Sequence, residues 1–181
     1  IWYGENFDPN TKSDVIASFL RKSRKAISEE KGVPLSADVF AINAVSTADD
    51  TTLGQNWEKL AVEADIICPM AYPSHYANAK QNGVGQKING VQFTKPDLDP
   101  YGVVYHTLMS GKKRLEPLEK KPVIRPYLQD FDAPWLGAGY WQKYGAQQVR
   151  EQIKAVYDAG YEEWIFWDPN NSYHEDGFLK E

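Results

Sequence analysis

Apolar positions in the first forty residues follow a helical spacing and then a strand spacing. One face of a predicted helix of about 17 residues carries Ile16, Phe19, Leu20 and Ile27. Thr11 and Ser13 are candidate caps at its start, and Gly32 is a candidate stop. The mostly apolar run 35–42 follows, and it has the length and composition of a strand that is covered on both faces.

The same order of helix and strand then repeats three times. Apolar residues at helical spacing mark the further helices: Trp57, Leu60 and Ala61; Val103, Val104 and Leu108; and Tyr144, Val149, Ile153 and Val156. The runs with strand character that follow them are residues 66–72, 123–128 and 164–167. A polar loop over 47–52 and a Gly- and Asn-rich segment over 77–93 interrupt the pattern. The repeats predict right-handed crossovers and a parallel sheet of about four strands.

The predicted fold class is therefore α/β, with parallel strands that alternate with helices. A closed eight-stranded barrel usually needs about 250 residues, and this chain has 181. A flavodoxin-like sheet normally begins with a strand, whereas this chain begins with a predicted helix. Half of a (β/α)8 barrel fits the order better. We expect residues 1–181 to form a single α/β domain that is a piece of a larger one.

Composition argues against several classes of partner and cofactor. Lys and Arg total 20 against 25 for Asp and Glu, and the net charge of -5 disfavours nucleic acid or an anionic membrane surface as the main partner. No apolar stretch approaches the ~20 residues of a membrane span. The single cysteine, Cys68, gives neither a disulfide framework nor a zinc spacing. A metal site joining His75 to Asp38 or Asp130 has no supporting ligand spacing, so we expect no metal and no other cofactor.

Polar and aromatic residues gather at the carboxyl ends of the predicted strands, where α/β proteins bind ligands. In chain order these are Asp38, residues 72–76, Arg125 with residues 129–132, and residues 168–173. Sugars present apolar faces that stack on aromatic rings and hydroxyls that pair with carboxylate, amide and guanidinium groups. Glycoside hydrolysis also requires two carboxyl groups. The strand-end candidates for these are Asp38, Asp130 and Asp168.

Strand alternation bears most directly on Asp38. Ser36, Asp38 and Phe40 share one face of the strand, so the acid is expected to point into the barrel. A buried carboxylate needs a cation, hydrogen bonds or a catalytic task. Capping of a neighbouring loop is the alternative role. Arg125 is expected either to pair with an acid such as Asp38 or to contact substrate.

The histidines have different expected roles. His75 is either a proton carrier or a structural residue between Tyr72 and Tyr76. His106 is expected to pack within a helix. His174 lies near the end of the chain and is expected to be solvated.

Several large rings are candidates for sugar contact. Trp167 fits both a core position and a platform directly before Asp168. Three further rings, in the loop after the third strand, are more typical of a pocket wall or rim: Trp135, Tyr140 and Trp141.

Seven short segments match, in order, the motifs of a known family. They are Asp38–Phe40, Leu53–Gln55, Pro69–Tyr76, Pro100–Val104, Arg125–Phe131, Gln152–Ala155 and Trp167–Tyr173. With them the chain resembles a bacterial family of proposed glycoside hydrolases with a TIM-barrel domain, catalogued as domain of unknown function 4015. The segments Tyr72–Tyr76 and Arg125–Phe131 are the specific ones.

The resemblance implies that the four strands are the fifth to eighth of a TIM barrel, its C-terminal half. Ala41 stands where the family often has Gly, and Tyr127 where it often has Trp. The family's preceding strand, with an Asp-Tyr-x-Arg-Phe-Pro motif, is absent from this sequence, and related barrel glycosidases keep a catalytic carboxylate on that strand. The resemblance therefore implies that the isolated chain lacks activity. It also implies an extracellular or cell-envelope location.

These expectations combine into assigned roles and alternatives. Asp38 is the leading acid/base candidate and Asp130 the second. The predicted substrate-binding residues are Tyr72, His75, Arg125, Gln129, Trp167, Asp168 and Tyr173. The alternative functions are a carbohydrate-binding module, whose acids only accept hydrogen bonds, and a scaffold domain with a degenerate pocket. The exposed strand edges and apolar helix faces of a half barrel predict self-association.

Overall fold

The computed structural model describes residue 8, residues 11–46 and residues 53–178. Its helices are α1 (Lys12–Arg24), α2 (Ile42–Val45), α3 (Trp57–Glu63), α4 (Ala79–Asn82), α5 (Pro100–Leu115) and α6 (Ala146–Asp158). Its strands are β1 (Ser36–Phe40), β2 (Ile66–Met70), β3 (Gln86–Ile88), β4 (Val91–Phe93), β5 (Val123–Ile124), β6 (Tyr127–Gln129) and β7 (Ile165–Trp167). A π-helical turn over Lys25–Glu29 extends α1. The polar loop predicted over 47–52 lies outside the described residues.

Five strands form one parallel sheet, which confirms the predicted α/β fold class. The order β1, β2, β6, β7 follows the chain, and β5 pairs with the start of β2. A doubly wound sheet reverses its order partway across, whereas a sequential order is that of a barrel wall. The run predicted as one strand over 123–128 is divided into β5 and β6, because Pro126 has no N–H to donate to the ladder. The sheet therefore has five strands rather than four.

The structure differs from the sequence pattern in two further details. The Gly- and Asn-rich segment 77–93, for which no element was predicted, contains α4 and the antiparallel hairpin of β3 and β4. Gly85 permits this hairpin, because its φ is +84° and a Cβ there would lie 2.1 Å from the carbonyl oxygen of Phe93. In α1, Phe19 was expected on the buried face but is 66% exposed, and the helix instead buries Ala17 and Leu20.

The two faces of the parallel sheet differ in what covers them. One face packs against the helices in the main core, through Val39, Ile67, Leu128 and Phe166. We call the opposite side the inner face. It carries Asp38, Phe40 and Trp167, and the last two are 48% and 47% exposed. Side chains of the inner face are therefore accessible to a ligand.

Helix α6 is fastened to the end of β6 by a pair of buried glutamines. The Gln129 backbone N–H donates to Gln152 Oε1 at 2.9 Å, and Gln152 Nε2 donates to the Gln129 carbonyl at 2.7 Å. Both residues are fully buried. This reciprocal contact gives the last residue of β6 the backbone partners that a strand end otherwise lacks, and it fixes the point where the candidate site begins.

Asp65 connects the end of the first helical segment to the start of the sheet. Its carboxylate accepts hydrogen bonds from the Ser28 hydroxyl and from the Leu35 backbone N–H, and it pairs with Arg24 at 3.1 Å. Burial opposes ionisation of this carboxyl, but the three partners outweigh it and lower the pKa of Asp65 to about 2. The ionised side chain thus holds three segments together.

We expect Asp65→Asn to lower the free energy of unfolding by about 2 kcal/mol at neutral pH. Because the folded-state pKa is depressed, this stability is present above pH 3.8 and is lost as the pH falls toward 2. Urea unfolding at neutral pH and at about pH 3 measures both effects. Asp14→Asn is the matched control, since it removes only an exposed ion pair with Lys59 and should cost under about 0.5 kcal/mol. Equal costs for the two substitutions would contradict the role of Asp65.

Two predictions about partners concern the surface of this fold. Across the described residues, no helix is long and apolar enough to cross a membrane.

Self-association stays a prediction: β1 and β7 border the described sheet, and Phe19, Phe40 and Trp167 are exposed. Sedimentation velocity of the chain should show dimers or larger species whose fraction rises with concentration. A monomer at every concentration would overturn this prediction.

Candidate functional site

Two adjoining clefts lie at the carboxyl ends of the parallel strands. The acidic cleft follows β6 and β7, has a volume of about 520 Å³, and is lined by Asp130, Trp135, Lys143, Trp167, Asp168 and His174. The neutral cleft follows β1 and β2, has a volume of about 350 Å³, and is lined by Phe40, Met70, Tyr72, His75, Tyr76 and Gln86. Both volumes are within the range of small-molecule sites.

Asp130 and His174 form a close pair at the wall of the acidic cleft. The Asp130 side chain is fully buried. Its Oδ2 accepts a hydrogen bond from the His174 backbone N–H at 2.8 Å, and its Oδ1 lies 2.7 Å from His174 Nδ1. An ionised carboxylate only accepts hydrogen bonds, so Nδ1 carries the hydrogen and the Nε2 edge is left for other partners.

This pair changes two expectations from the sequence. His174 was predicted to be solvated; 44% of its side chain is exposed, and its ring is in addition held by Asp130. Asp130 was predicted as a second acid/base candidate. Since its side chain is fully buried and both of its oxygens face His174, it can act on a ligand only through that imidazole.

The loop after β7 is folded by Asp168. Its Oδ1 accepts hydrogen bonds from the backbone N–H groups of Asn170 at 2.7 Å and Ser172 at 3.0 Å. Asn171 between them has a φ of +54°, in the left-handed region that Asn tolerates. This turn reverses the chain and carries His174 back to Asp130.

Exposed tryptophans border the acidic cleft. Trp167 ends β7 on the inner face and is 47% exposed, so the structure favours a platform over a core position. Trp135 stacks on Phe131 with the ring centroids 6.2 Å apart and is 64% exposed. The cleft therefore offers two flat apolar surfaces beside its polar groups, as sugar-binding sites do.

A wall of three rings separates the two clefts. Tyr72, His75 and Phe131 meet edge to face, with centroids 5.2 to 6.0 Å apart. Phe131 lines the acidic cleft, whereas Tyr72 and His75 line the neutral cleft. Partial burial lowers the pKa of His75, so its imidazole is neutral at physiological pH.

Tyr72 links this wall to the inner face of the sheet. Its pKa is raised by burial first, and then by the charges of Tyr127, Asp38 and Tyr173. The phenol is therefore neutral and can donate a hydrogen bond. The same interactions place Asp38 and Tyr173 near Tyr72, although neither of these two residues lines the neutral cleft.

Beneath the wall, the Gln129 side chain is buried in a hydrogen-bond network. Its Oε1 accepts from the Ser74 backbone N–H at 3.0 Å and from the Ser74 hydroxyl at 2.8 Å. Its Nε2 donates to Asp97 Oδ1 and to the Phe131 carbonyl, both at 3.0 Å. Gln129 was predicted to contact substrate. With no exposed surface and no unused hydrogen-bonding atom, it instead positions the residues around it.

Asp38 and Arg125 lie together on the inner face, at the level of Cys68. Asp38 pairs in register with Cys68, and burial together with the Asp38 charge raises the pKa of this thiol to about 11. Asp38 itself is exposed, so the expected buried carboxylate was wrong. The Arg125 guanidinium pairs with Glu163 at 2.6 Å and not with Asp38.

Seven of the nine predicted site residues, all but Gln129 and Tyr173, fall into two groups. The residues at the two clefts and the wall between them are Tyr72, His75, Asp130, Trp167 and Asp168. Asp38 and Arg125 lie further down the inner face and line neither cleft. Both groups are on the same side of the sheet.

Two residues of this region, His174 and Asp97, were missed by sequence reasoning. His174 reaches Asp130 across 44 positions of the chain, and no local spacing signals such a contact. Asp97 is fully buried, and burial raises the pKa of its carboxyl against the opposing bonds from Gln129, Gln142 and Tyr144. Asp99, two residues later, is the N-cap of α5, and an acid at that position is a recognisable helix-start signal. Nothing in the sequence marks Asp97 in the same way. Among the described residues, no group of three or more His, Cys, Asp or Glu could hold a metal ion.

Comparison with known proteins gives one family and several structural neighbours. The sequence pattern of a family described as "Putative glycosyl hydrolase domain" matches residues 1–173. No curated protein matches the chain. The PgaB (BpsB) glycoside hydrolase domain from Bordetella bronchiseptica superposes with a TM-score of 0.58 and 12% identity over 94% of this chain and 39% of its own. The spore cortex-lytic enzyme SleL of Bacillus cereus superposes with a TM-score of 0.59 and 12% identity over 96% of this chain and 46% of its own.

At this level of identity the two neighbours establish a shared fold. The first is a glycoside hydrolase domain and the second a spore cortex-lytic enzyme. The chain spans less than half the length of either one. The family match, by contrast, covers all but the last few residues, and it ends directly before His174. The chain therefore belongs to the "Putative glycosyl hydrolase domain" family, domain of unknown function 4015.

Proposed function

We propose that this chain supplies the sugar-binding rim and one acid/base carboxylate of a glycoside hydrolase domain. The acidic cleft carries this proposal, because it places exposed tryptophan faces next to carboxylates at the carboxyl ends of parallel strands. Barrel enzymes build their active sites at that end of the sheet. Membership in the family supports the same conclusion.

The rim residues divide the work of binding. Trp167 offers its exposed face to the apolar side of a sugar ring, and Asp168 holds the loop that closes the cleft behind it. Tyr72 and Tyr173 orient the glycan from the inner-face side. Arg125, paired with Glu163, fixes the electrostatics of the inner face below them.

Asp38 is the proposed acid/base group. It is exposed on the inner face, close enough to Tyr72 and Tyr127 for its charge to raise the pKa of both phenols. A glycan that extends from the acidic cleft across Tyr72 would therefore approach this carboxylate. Hydrolysis needs a second carboxyl group, which we place, from the family resemblance, on a strand outside this sequence.

A non-catalytic carbohydrate-binding domain is the second candidate function. It is favoured by the state of the cleft carboxylates: Asp130 is occupied by His174, and Asp168 accepts the backbone N–H groups of its own loop. Carboxylates engaged in this way accept hydrogen bonds but are poorly placed to transfer protons. The two candidate functions share the same glycan-binding rim and differ only in whether the bound glycan is hydrolysed.

Replacement of Trp167 tests the binding rim. We expect Trp167→Ala to weaken glycan affinity about tenfold or more, because it removes the stacking surface. The measurement is a glycan array that includes spore cortex fragments, since SleL is a spore cortex-lytic enzyme, followed by calorimetry with the strongest binder. Phe19→Ala is the control: it removes an exposed ring of α1 that does not line the acidic cleft, so it should leave affinity unchanged. Equal glycan affinities of Trp167→Ala and wild type would contradict the role of Trp167 as a sugar-stacking platform.

Replacement of Asp38 tests catalysis. In the intact protein that contains this chain, Asp38→Asn should reduce glycan hydrolysis by about 10² to 10⁴-fold while binding is retained. Release of reducing ends from the array-selected glycan measures turnover. Ser36→Ala, on the same face of β1, should leave turnover intact. Glycan binding by wild type without any release of reducing ends would select the binding module, and full turnover by Asp38→Asn would exclude Asp38 from the chemistry.

A further inference from the structure

The neutral cleft differs from the acidic cleft in its charge. None of its lining residues in the described part of the chain carries a charge, whereas the acidic cleft contains Asp, Lys and His side chains. Phe40 and Met70 give it apolar surfaces. The Tyr76 hydroxyl is already bonded to Thr107 at 2.8 Å. The polar groups left for a ligand are therefore few, and His75 is the most exposed of them.

The orientation of the Gln129 amide is fixed by its surroundings. One end faces the backbone N–H of Ser74, which can only donate, so that end is the oxygen. The other end faces the backbone carbonyl of Phe131, which can only accept, so that end is the nitrogen. No flipped amide would satisfy both contacts.

This orientation determines the tautomer of His75. Gln129 Oε1 only accepts, so the Ser74 hydroxyl, 2.8 Å away, donates its single hydrogen to that oxygen. The same hydroxyl lies 3.0 Å from His75 Nδ1 and has only its lone pairs left for it. Nδ1 therefore carries a hydrogen. In the neutral imidazole of this exposed residue, Nε2 is left as an acceptor.

We propose that the neutral cleft is a second ligand site, for an uncharged hydroxyl-bearing ring such as a neutral sugar unit, whose hydroxyl donates a hydrogen bond to His75 Nε2. The inference rests on the proposed function, because the ligand is taken to be a neighbouring unit of the same glycan. Ser74 and Gln129 are positioning residues: they hold the imidazole in the form that accepts.

The chemistry of the cleft selects an uncharged ligand. A charged group that enters loses hydration and finds no counterion among the lining residues. A sugar ring instead packs its C–H face on Phe40 and Met70 and directs a hydroxyl to His75. The lowered pKa of His75 keeps its acceptor lone pair free at neutral pH.

The tautomer is tested without any ligand. Long-range ¹H–¹⁵N correlation spectra of the labelled chain at neutral pH should show His75 with hydrogen on Nδ1 and an unprotonated Nε2. Ser74→Ala removes the acceptor for Nδ1, so the hydrogen should move to Nε2, while Gln129 keeps its bond from the residue-74 backbone. Ser110→Ala is the matched control, because its hydroxyl bonds only to the Ala44 carbonyl. An Nε2-protonated His75 in the wild type would overturn the proposal.

Ligand binding is tested with neutral and charged probes. Hexasaccharides of glucose, mannose and N-acetylglucosamine are compared with a mannuronate hexasaccharide. At least one neutral probe should shift the ¹⁵N resonance of His75 Nε2, and the mannuronate should not. His75→Phe keeps the ring in the wall but lacks the acceptor, so affinity should fall about tenfold. His75→Gln should recover part of the loss through its amide oxygen.

The outcomes separate this inference from the proposed function. If Trp167→Ala abolishes binding but no neutral probe reaches His75, the glycan rim stands and the second site is overturned. If His75 responds while Trp167→Ala binds as wild type, the second site stands and the proposed rim falls. A response of His75 to mannuronate as strong as to the neutral probes would also overturn the proposed selectivity.

Discussion

A buried primary amide has to satisfy two donors and an acceptor within the protein, and that requirement at Gln129 organises the whole site. Its partners come from the turn after β2, the turn before α5 and the chain just beyond β6. Gln152 of α6 holds its backbone. Each lost partner would leave a buried polar group that costs about 1 to 3 kcal/mol. The network can therefore be satisfied in only one arrangement of these segments.

Most acidic side chains near the clefts are engaged in hydrogen bonds that hold the fold together. Asp168 folds its own loop, and Asp130 receives the histidine which that loop delivers. Asp97 receives the Gln129 amide. Asp38 differs because it lies exposed on the inner face. The number of strand-end acids thus overstates the number available for proton transfer, and the hydrogen bonds of each carboxylate decide which one is available.

The sequence predicted the alternation of helices and parallel strands because each element carries its own apolar period. It also placed Tyr72, His75, Asp130 and Trp167 at the correct edge, since strand ends in a parallel sheet share one edge. The division of the third predicted strand at Pro126 and the hairpin in segment 77–93 depend on pairing between distant segments. Local patterns do not carry that information.

The same limit explains the errors about individual roles. His174 follows a turn set by Asp168, and its partner is 44 positions earlier in the chain. Arg125 pairs with Glu163, in the segment just before β7, instead of with Asp38. Gln129 has an amide side chain of the kind that binds sugar hydroxyls, but it is buried because four segments of the chain pack around it. A one-dimensional pattern shows which groups are present and cannot show which neighbours have already occupied them.

The position of Cys68 has a consequence for redox chemistry. Its thiol is enclosed in the sheet beside Asp38, and a pKa near 11 leaves almost no thiolate at neutral pH. Since the thiolate is the form that oxidants and alkylating reagents attack, burial and the raised pKa both slow such reactions at this cysteine. It is the single cysteine of the sequence, so the inner face keeps the same chemistry in reducing and in oxidising surroundings.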